Sequence, residues 1–415
     1  MRTKLCNFIS IDIGSSKIAA IASYVENNGH INIISQSLYY SEGIKSGIVT
    51  NFKKAENSII SAIYSLEKDC GKTIKQATIS VPGLGTKSYY VYTKIRVSNQ
   101  NVTKQDIIKL ISKALYDFKI KDQEIIHYFP IEFTLDDNHA IQDPIGMYGR
   151  ELGCRLHLVS ANSSMLLNLV NCLSKCQVEV DGIVLAIYAS GLSCLSEDEK
   201  NLGALIIDIG AKTTSFGVFF NDKLLYTNNI PIGGWHITSD IAKVLSVSFQ
   251  TAEKLKVLYG NAVESIIDRD NIINLEDIDP EASYINSRTT LSAAYLSEII
   301  RLRAEEILGL IKAEYDKIGV DHLIARCIVL TGGGALLRGL KELTSKIFDK
   351  HTRIGKPQLL PGFVEDYNPS IYSTAVGIIR HYANKQEKSY INAKDSDNLR
   401  QGWFKQALLW LKENI

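Results

Sequence analysis

Two stretches of this chain repeat one order of apolar and polar positions. In the first, the apolar run beginning at Phe8 passes into Asp12-Ile-Gly-Ser-Ser-Lys17, and apolar runs follow at Ile18–Tyr24 and Ile31–Leu38. In the second, the run from Ala204 passes into Asp208-Ile-Gly-Ala-Lys-Thr-Thr214, followed by Ser215–Phe220 and Lys223–Ile230. Each copy reads as a buried strand, a tight turn and two further strands, with helical spacing after it at Lys53–Lys68 and Trp235–Leu245. Two copies about half a chain apart indicate a duplicated unit rather than a solenoid.

The stretch between the copies has a mixed pattern of its own. Tyr89–Val97 and Arg155–Ser160 alternate as strands do, and Thr103–Tyr116 has helical spacing with Thr103 placed to cap it. An inserted α+β subdomain is therefore expected over 85–160, within a first domain of 1–84 and 161–196. The second domain is expected over 197–234 and 320–382, interrupted by a largely helical subdomain at 235–319. Residues 383–400 are polar and highly charged, with little to bury, and read as a flexible linker.

The last segment, 401–415, changes character. On a helical wheel Trp403, Phe404, Ala407, Leu408, Trp410, Leu411 and Ile415 share one arc, opposite Lys405, Gln406, Lys412 and Glu413. A broad apolar face with aromatics and flanking lysines suits a helix lying in the plane of a membrane surface, with Trp403, Phe404, Leu408, Trp410 and Leu411 entering the lipid. A helix docked on the protein's own surface would not need so long a polar linker.

Composition narrows the class. The 415 residues are 45% hydrophobic and 22% charged, with a net charge of +1, an ordinary globular balance without the basic footprint of a nucleic-acid binder. No apolar run is long enough to cross a bilayer, and the start of the chain does not read as a secretory signal. The seven cysteines are scattered without a CxxC pair; Cys172 and Cys176, one helical turn apart, lack the further ligands of a metal site. A reduced, intracellular protein is expected.

The candidate chemistry lies in the repeated turns. A glycine directly after a buried strand lets the backbone turn sharply and aim N–H groups at an anion. Gly14, Ser15 and Ser16 offer such groups with two hydroxyls, and Lys17 adds a charge; Gly210, Thr213 and Thr214 do the same in the second copy. Asp12 and Asp208, each two residues before the glycine, would face one another and suit a hydrated Mg²⁺ bridging to phosphate. A third strand, Ile328-Val-Leu-Thr-Gly-Gly-Gly-Ala335, runs into three glycines where backbone approaches something flat or anionic.

These three segments resemble the phosphate-1, phosphate-2 and adenosine motifs of the actin, Hsp70 and sugar-kinase superfamily. Ile131-Glu-Phe-Thr-Leu-Asp136, Asp143-Pro-Ile-Gly-Met-Tyr-Gly149, Leu195-Ser-Glu-Asp-Glu-Lys200, Gly233-Gly-Trp-His-Ile-Thr-Ser-Asp-Ile-Ala242 and Ala252-Glu-Lys-Leu-Lys256 narrow the resemblance to FtsA, the actin-like bacterial division proteins. It spans essentially the whole chain. It implies an α/β, actin-like (ribonuclease H-like) duplicated two-domain fold with an ATP cleft, an inserted α+β subdomain and a C-terminal amphipathic helix.

By the same resemblance Asp12 and Asp208 would face Mg²⁺ through water. Gly14, Ser15, Ser16, Lys17, Gly210, Lys212, Thr213 and Thr214 would hold phosphates. Gly234, Glu253, Lys256, Gly332, Gly333, Gly334 and Ala335 would surround the nucleoside. The implied partners are further copies in protofilaments, the C-terminal tail of the tubulin-like FtsZ, other division proteins, and the inner-membrane surface on its cytoplasmic side at the division site. Arg301, Arg303 and Glu306 are the expected contacts for the FtsZ tail; read alone, they are a salt-bridged helix face. Family members commonly carry Gln or Glu where Ala186 stands, so ATP is expected to be held with slow hydrolysis or none. The alternatives are a pilus-assembly relative of the same fold, or a small-molecule kinase, for which the chain offers no convincing catalytic carboxylate.

Overall fold

A computed structural model describes residues 6–26, 29–136, 138–263, 271–279, 290–319, 327–358, 360–364 and 368–387. The expected membrane helix, with Trp403, Phe404, Leu408, Trp410 and Leu411, lies outside the described residues.

Two five-stranded sheets share one topology. The first runs, in spatial order, Glu179–Leu185, Gln76–Val81, Phe8–Ile13, Lys17–Val25, Ile31–Tyr40. The second runs His351–Ile354, Cys327–Thr331, Ala204–Ile209, Thr214–Phe220, Lys223–Ile230. In each, the motif strand is central, antiparallel to the next strand in sequence and parallel to the neighbour on its other side. The turns are equivalent as well: Ile13 pairs with Ile18 and Ile209 with Thr214, leaving four residues in each connection. In both, the first glycine donates its N–H to the fourth residue, Gly14 to Lys17 (2.9 Å) and Gly210 to Thr213 (3.0 Å). The near-continuous apolar character of both motif strands follows from their burial on both faces.

Helix Phe52–Cys70 covers the first sheet through Ala55, Ile59, Ala62, Ile63 and Leu66, the i, i+3/i+4 stripe that its sequence spacing encodes. Two helices, Ala186–Cys194 and Ser373–Glu387, pack against one another between the sheets. Their crossing is set by Gly377, where a Cβ would stand 1.8 Å from the Ala189 carbonyl oxygen. The second of these helices continues through Glu387 with Ala383 buried, so the polar segment expected to be linker from residue 383 is helical over its first turn.

The inserted region forms a four-stranded antiparallel sheet in the order Thr86–Arg96, Glu151–Asn162, Gln123–Leu135, Asn138–Ile141. Helix Lys104–Asp117, started by the Thr103–Asp106 capping box, covers one face with Ile107, Leu110, Ile111 and Ala114. Pro130 sits inside a strand at a register shift, where Arg155 pairs with Glu132 and Leu156 with Pro130. The skipped residue, Ile131, is thereby freed to accept a hydrogen bond from Lys223 (3.1 Å). The stretch 235–319 holds helices Gly234–Leu245, Phe249–Tyr259 and Ala293–Ile318, and the short pair Ile272–Asn274 and Thr290–Ser292.

Candidate functional site

The central strands of both sheets end at one open cleft. Asp12, Gly14, Ser15, Ser16 and Lys17 line one wall; Asp208, Gly210, Thr213, Gly332 and Gly333 line the other. Each carboxylate is steadied by a serine from a neighbouring element. Ser80 donates to Asp12 Oδ1 (2.6 Å) while accepting from the Ile13 N–H (3.1 Å), and Ser190 donates to Asp208 Oδ2 (2.9 Å). Burial pushes Asp12 up to about 6, against the pull of Ser80 and Lys17, and it raises Asp208 as well. Lys17 is shifted down by burial and feels both carboxylates. Among the described residues Lys17 is the cation named beside these two desolvated acids, and a divalent cation would answer the charge that remains.

The glycines shape the walls. Gly332 has φ +84, and a Cβ there would lie 2.3 Å from Asp208 Oδ1. Gly333 has nothing within 4 Å of its Cβ position and faces the open cleft. Gly334 is different: its Cβ would strike the Ile209 side chain at 2.4 Å, so it serves strand packing. Ala335 is buried in the second core. Neither is among the residues lining the phosphate end of the cleft.

Two further residues depart from expectation in the second turn. Thr214 is fully buried and donates to the Ile232 carbonyl (2.8 Å), because it is the register equivalent of Ile18 and begins a core strand. Aligning the two copies residue by residue would have shown it. Lys212 is not among the residues lining the cleft and stands 5.2 Å over the Trp235 ring. Gly234 donates to the Gly210 carbonyl (2.9 Å) and lies beside Gly334. Behind it Lys256 donates to Glu253 (2.8 Å), Thr238 (2.8 Å) and the Gly234 carbonyl (3.2 Å). Glu253 and Lys256 thus form one polar cluster with the Gly233–Gly234 turn, off the phosphate end.

Several lining residues had no sequence signal strong enough to single them out. Ser80 and Pro82 come from the strand Gln76–Val81 and the turn after it, a strand running into Pro82-Gly83 that resembles the glycine turns already noticed. Gly47 is at the tip of the two-residue hairpin between Lys45 and Ile48, whose Ser46 N–H donates to Ser15 Oγ (2.8 Å). Ser215, Ser370, Ile371 and Thr374 also line it, and Thr374 shares a hydrogen bond with Ser190 (3.0 Å). Ala186 contributes only a methyl, at the start of its helix, so that position offers no group to orient a water.

Away from the cleft, Arg303 is held by Asp240 of the neighbouring helix (Nε to Oδ2 2.5 Å, Nη2 to Oδ1 3.1 Å) and by Glu306. Arg301 pairs with Glu305 (2.8 Å). The same two helices expose Leu302, Tyr295, Trp235 and Val244, an apolar surface with charges. No described helix is long and apolar enough to cross a membrane.

Known proteins share these features. Residues 205–377 match the model of the family described as cell division protein FtsA, and residues 83–160 that of the SHS2 domain inserted in FtsA. The cell division protein FtsA of Rhizobium meliloti (strain 1021) is 32% identical over 379 residues, covering 89% of this chain and 85% of its own length. That of Escherichia coli (strain K12) is 28% identical over 420 residues, covering 98% of both. Among solved structures, a PilM–PilN type IV pilus biogenesis complex superposes with a TM-score of 0.63 at 13% identity, covering 92% of this chain and 99% of that one. MreB5 of Spiroplasma citri bound to ADP gives 0.55 at 17%, covering 92% and 98%. At such identities the structural likeness speaks for the actin-like fold alone.

Proposed function

The chain belongs to the FtsA family of cell division proteins, and from that premise we propose that it binds ATP, forms filaments, and tethers the FtsZ ring to the inner membrane while recruiting later division proteins. The observation that supports the nucleotide reading is the pair of desolvated carboxylates, Asp12 and Asp208, on opposite walls of one cleft between two equivalent glycine turns. The turns Gly14–Lys17 and Gly210–Thr213 would hold phosphates. Gly332 and Gly333, with the Gly234–Glu253–Lys256 cluster, would border the nucleoside. The relative solved with ADP shares the fold. MgATP would supply a divalent charge to offset Asp12 and Asp208 and phosphates for the two turns to hold. The chain's own residues position and neutralise; with a methyl at Ala186, ATP acts chiefly as a structural switch.

Membrane attachment is assigned to 401–415. A single amphipathic helix binds reversibly, and each neighbour in a filament raises the effective concentration of the next, so avidity can grow ~10²-fold. The FtsZ tail is assigned to the helix carrying Arg303 and Glu306, now with Asp240 beside them. Liposome co-sedimentation with and without ATP, and with and without residues 401–415, tests the whole reading. Undiminished sedimentation of the shortened chain would refute the membrane assignment, and ATP-independent sedimentation would refute the switch.

A further inference from the structure

By sequence the inserted sheet belongs to the first domain: it follows strand Gln76–Val81 and leads into helix Ser163–Lys175. By contact it is held as firmly by the second. Strand Lys223–Ile230, the outer edge of the second sheet, crosses diagonally over the inserted sheet's other face, opposite helix Lys104–Asp117. The partners change strand by strand along the crossing. Asn229 Nδ2 donates to the Gly83 carbonyl (2.6 Å), Tyr90 OH to the Leu225 carbonyl (2.7 Å), and Lys223 Nζ to the Ile131 carbonyl (3.1 Å). Burial pushes His157 down to about 4, so it is neutral; its Nδ1–H donates to the Leu224 carbonyl (2.7 Å), leaving Nε2 as an acceptor. Ser88 Oγ lies between that Nε2 (3.0 Å) and the Thr227 carbonyl (2.9 Å), its one proton shared by two acceptors, while it accepts from the Thr227 N–H (3.2 Å).

The seat begins at the cleft from both sides. Ser80 and Pro82 line the phosphate end and lead directly into Gly83. A Cβ on Gly83 would stand 2.7 Å from Ser215 Oγ and 2.9 Å from Asn229 Cβ, so the two domains touch here backbone against side chain. Ser215 itself lines the cleft and pairs with Asn229 across the hairpin. Any change in the spacing of the two cleft walls therefore acts first on the Gly83 contact and then along a row of hydrogen bonds.

We infer that the inserted subdomain reports the nucleotide state: filling the phosphate end of the cleft shifts strand Lys223–Ile230 against residues 86–162 and resets how the inserted sheet sits on the second domain. The inference rests on the nucleotide reading above. The ligands it distinguishes are a nucleoside triphosphate and a diphosphate, which differ by one phosphate. Packed interfaces of this kind switch between discrete arrangements rather than deform continuously.

Hydrogen–deuterium exchange on the full chain tests it, with Mg²⁺ alone, with ADP and with ATP, occupancy being read on the same samples from a fluorescent nucleotide analogue. The amides of 88–92 and 224–229 should exchange at rates differing by about threefold or more between the ADP and ATP states. Ser88→Ala with Tyr90→Phe should keep nucleotide affinity and lose that difference. Should the pair fail to fold, Tyr90→Phe alone removes one oxygen and is read in the same way. Identical exchange at saturating occupancy, or an undiminished difference in the folded variant, overturns the inference while leaving the nucleotide reading intact. A chain that takes up no nucleotide overturns both.

Discussion

Arg353 grips Glu199 with two guanidinium nitrogens, Nε to Oε1 at 2.6 Å and Nη2 to Oε2 at 2.5 Å, and so ties the short helix Glu197–Leu202 to the edge strand His351–Ile354. The same Nη2 donates to the Cys194 carbonyl (2.8 Å) at the end of the helix between the sheets. Burial alone would raise Glu199, but the Arg353 bonds and the Ser196 N–H bring it down to about 2 from an ordinary 4.5. Glu199→Gln should cost about 2 kcal/mol at neutral pH in chemical denaturation, a partly solvated pair being worth less than its full shift. Because the folded value is depressed, this stability is present above the ordinary value and is lost as pH falls from 4.5 toward about 2. Parent and variant curves should converge across that window.

Asp12 has the opposite sign. Its folded value of about 6 exceeds the ordinary 3.8, so the nucleotide-free protein is penalised as pH rises through that interval, fully so above it. Asp12→Asn keeps an acceptor for Ser80 and removes the buried charge. Its nucleotide-free melting temperature should match or exceed the parent's at pH 7.5, while Mg²⁺-dependent ATP affinity falls by about tenfold or more. Titration calorimetry with and without Mg²⁺ measures the second effect.

Adjacent glycines should behave differently. Gly332→Ala forces a side chain into φ +84 and against Asp208, and should cost on the order of 2 kcal/mol or more together with nucleotide affinity. Gly333→Ala meets nothing within 4 Å and should leave thermal stability unchanged. Equal melting temperatures for the two variants would contradict the cradle.

Thr213 and Thr214 should also separate. Thr214→Val strands the Ile232 carbonyl and should destabilise by about 1–2 kcal/mol with little change in ATP affinity. Thr213→Val, at the cleft, should lower affinity with little loss of stability. Paired denaturation and binding measurements distinguish them.

Arg303→Gln breaks the bonds to Asp240 and Glu306, and should weaken binding of an FtsZ tail peptide about tenfold by fluorescence polarisation. Arg301→Gln, which breaks the i,i+4 pair with Glu305 on the same helix, should change it less than about twofold. The reverse order would move the assigned site along the helix.

The duplicated motif was legible in the sequence because its physics is local. A buried strand must be apolar throughout, a sharp turn after it needs glycine, and both requirements recur in order at Asp12–Lys17 and Asp208–Thr214. The cap at Thr103 and the apolar stripe of Phe52–Cys70 were legible for the same reason. Ser80, Gly47, Ser370 and Thr374 were not, because only the parallel neighbour strand, the hairpin and the crossing helices bring them to the cleft from distant positions. Thr214 follows the turn glycine Gly210 as a phosphate-holding hydroxyl would, but strand register turns it into the core. The seat of strand Lys223–Ile230 on the inserted sheet is likewise tertiary: its donors, Ser88, Tyr90, His157, Lys223 and Asn229, are ordinary residues until two distant segments cross. The sequence by itself determined the strand–turn–strand segments of the two copies, since these depend on neighbours along the chain. The tertiary structure decided which side chains share the cleft and how the insertion is held, since these depend on neighbours in space.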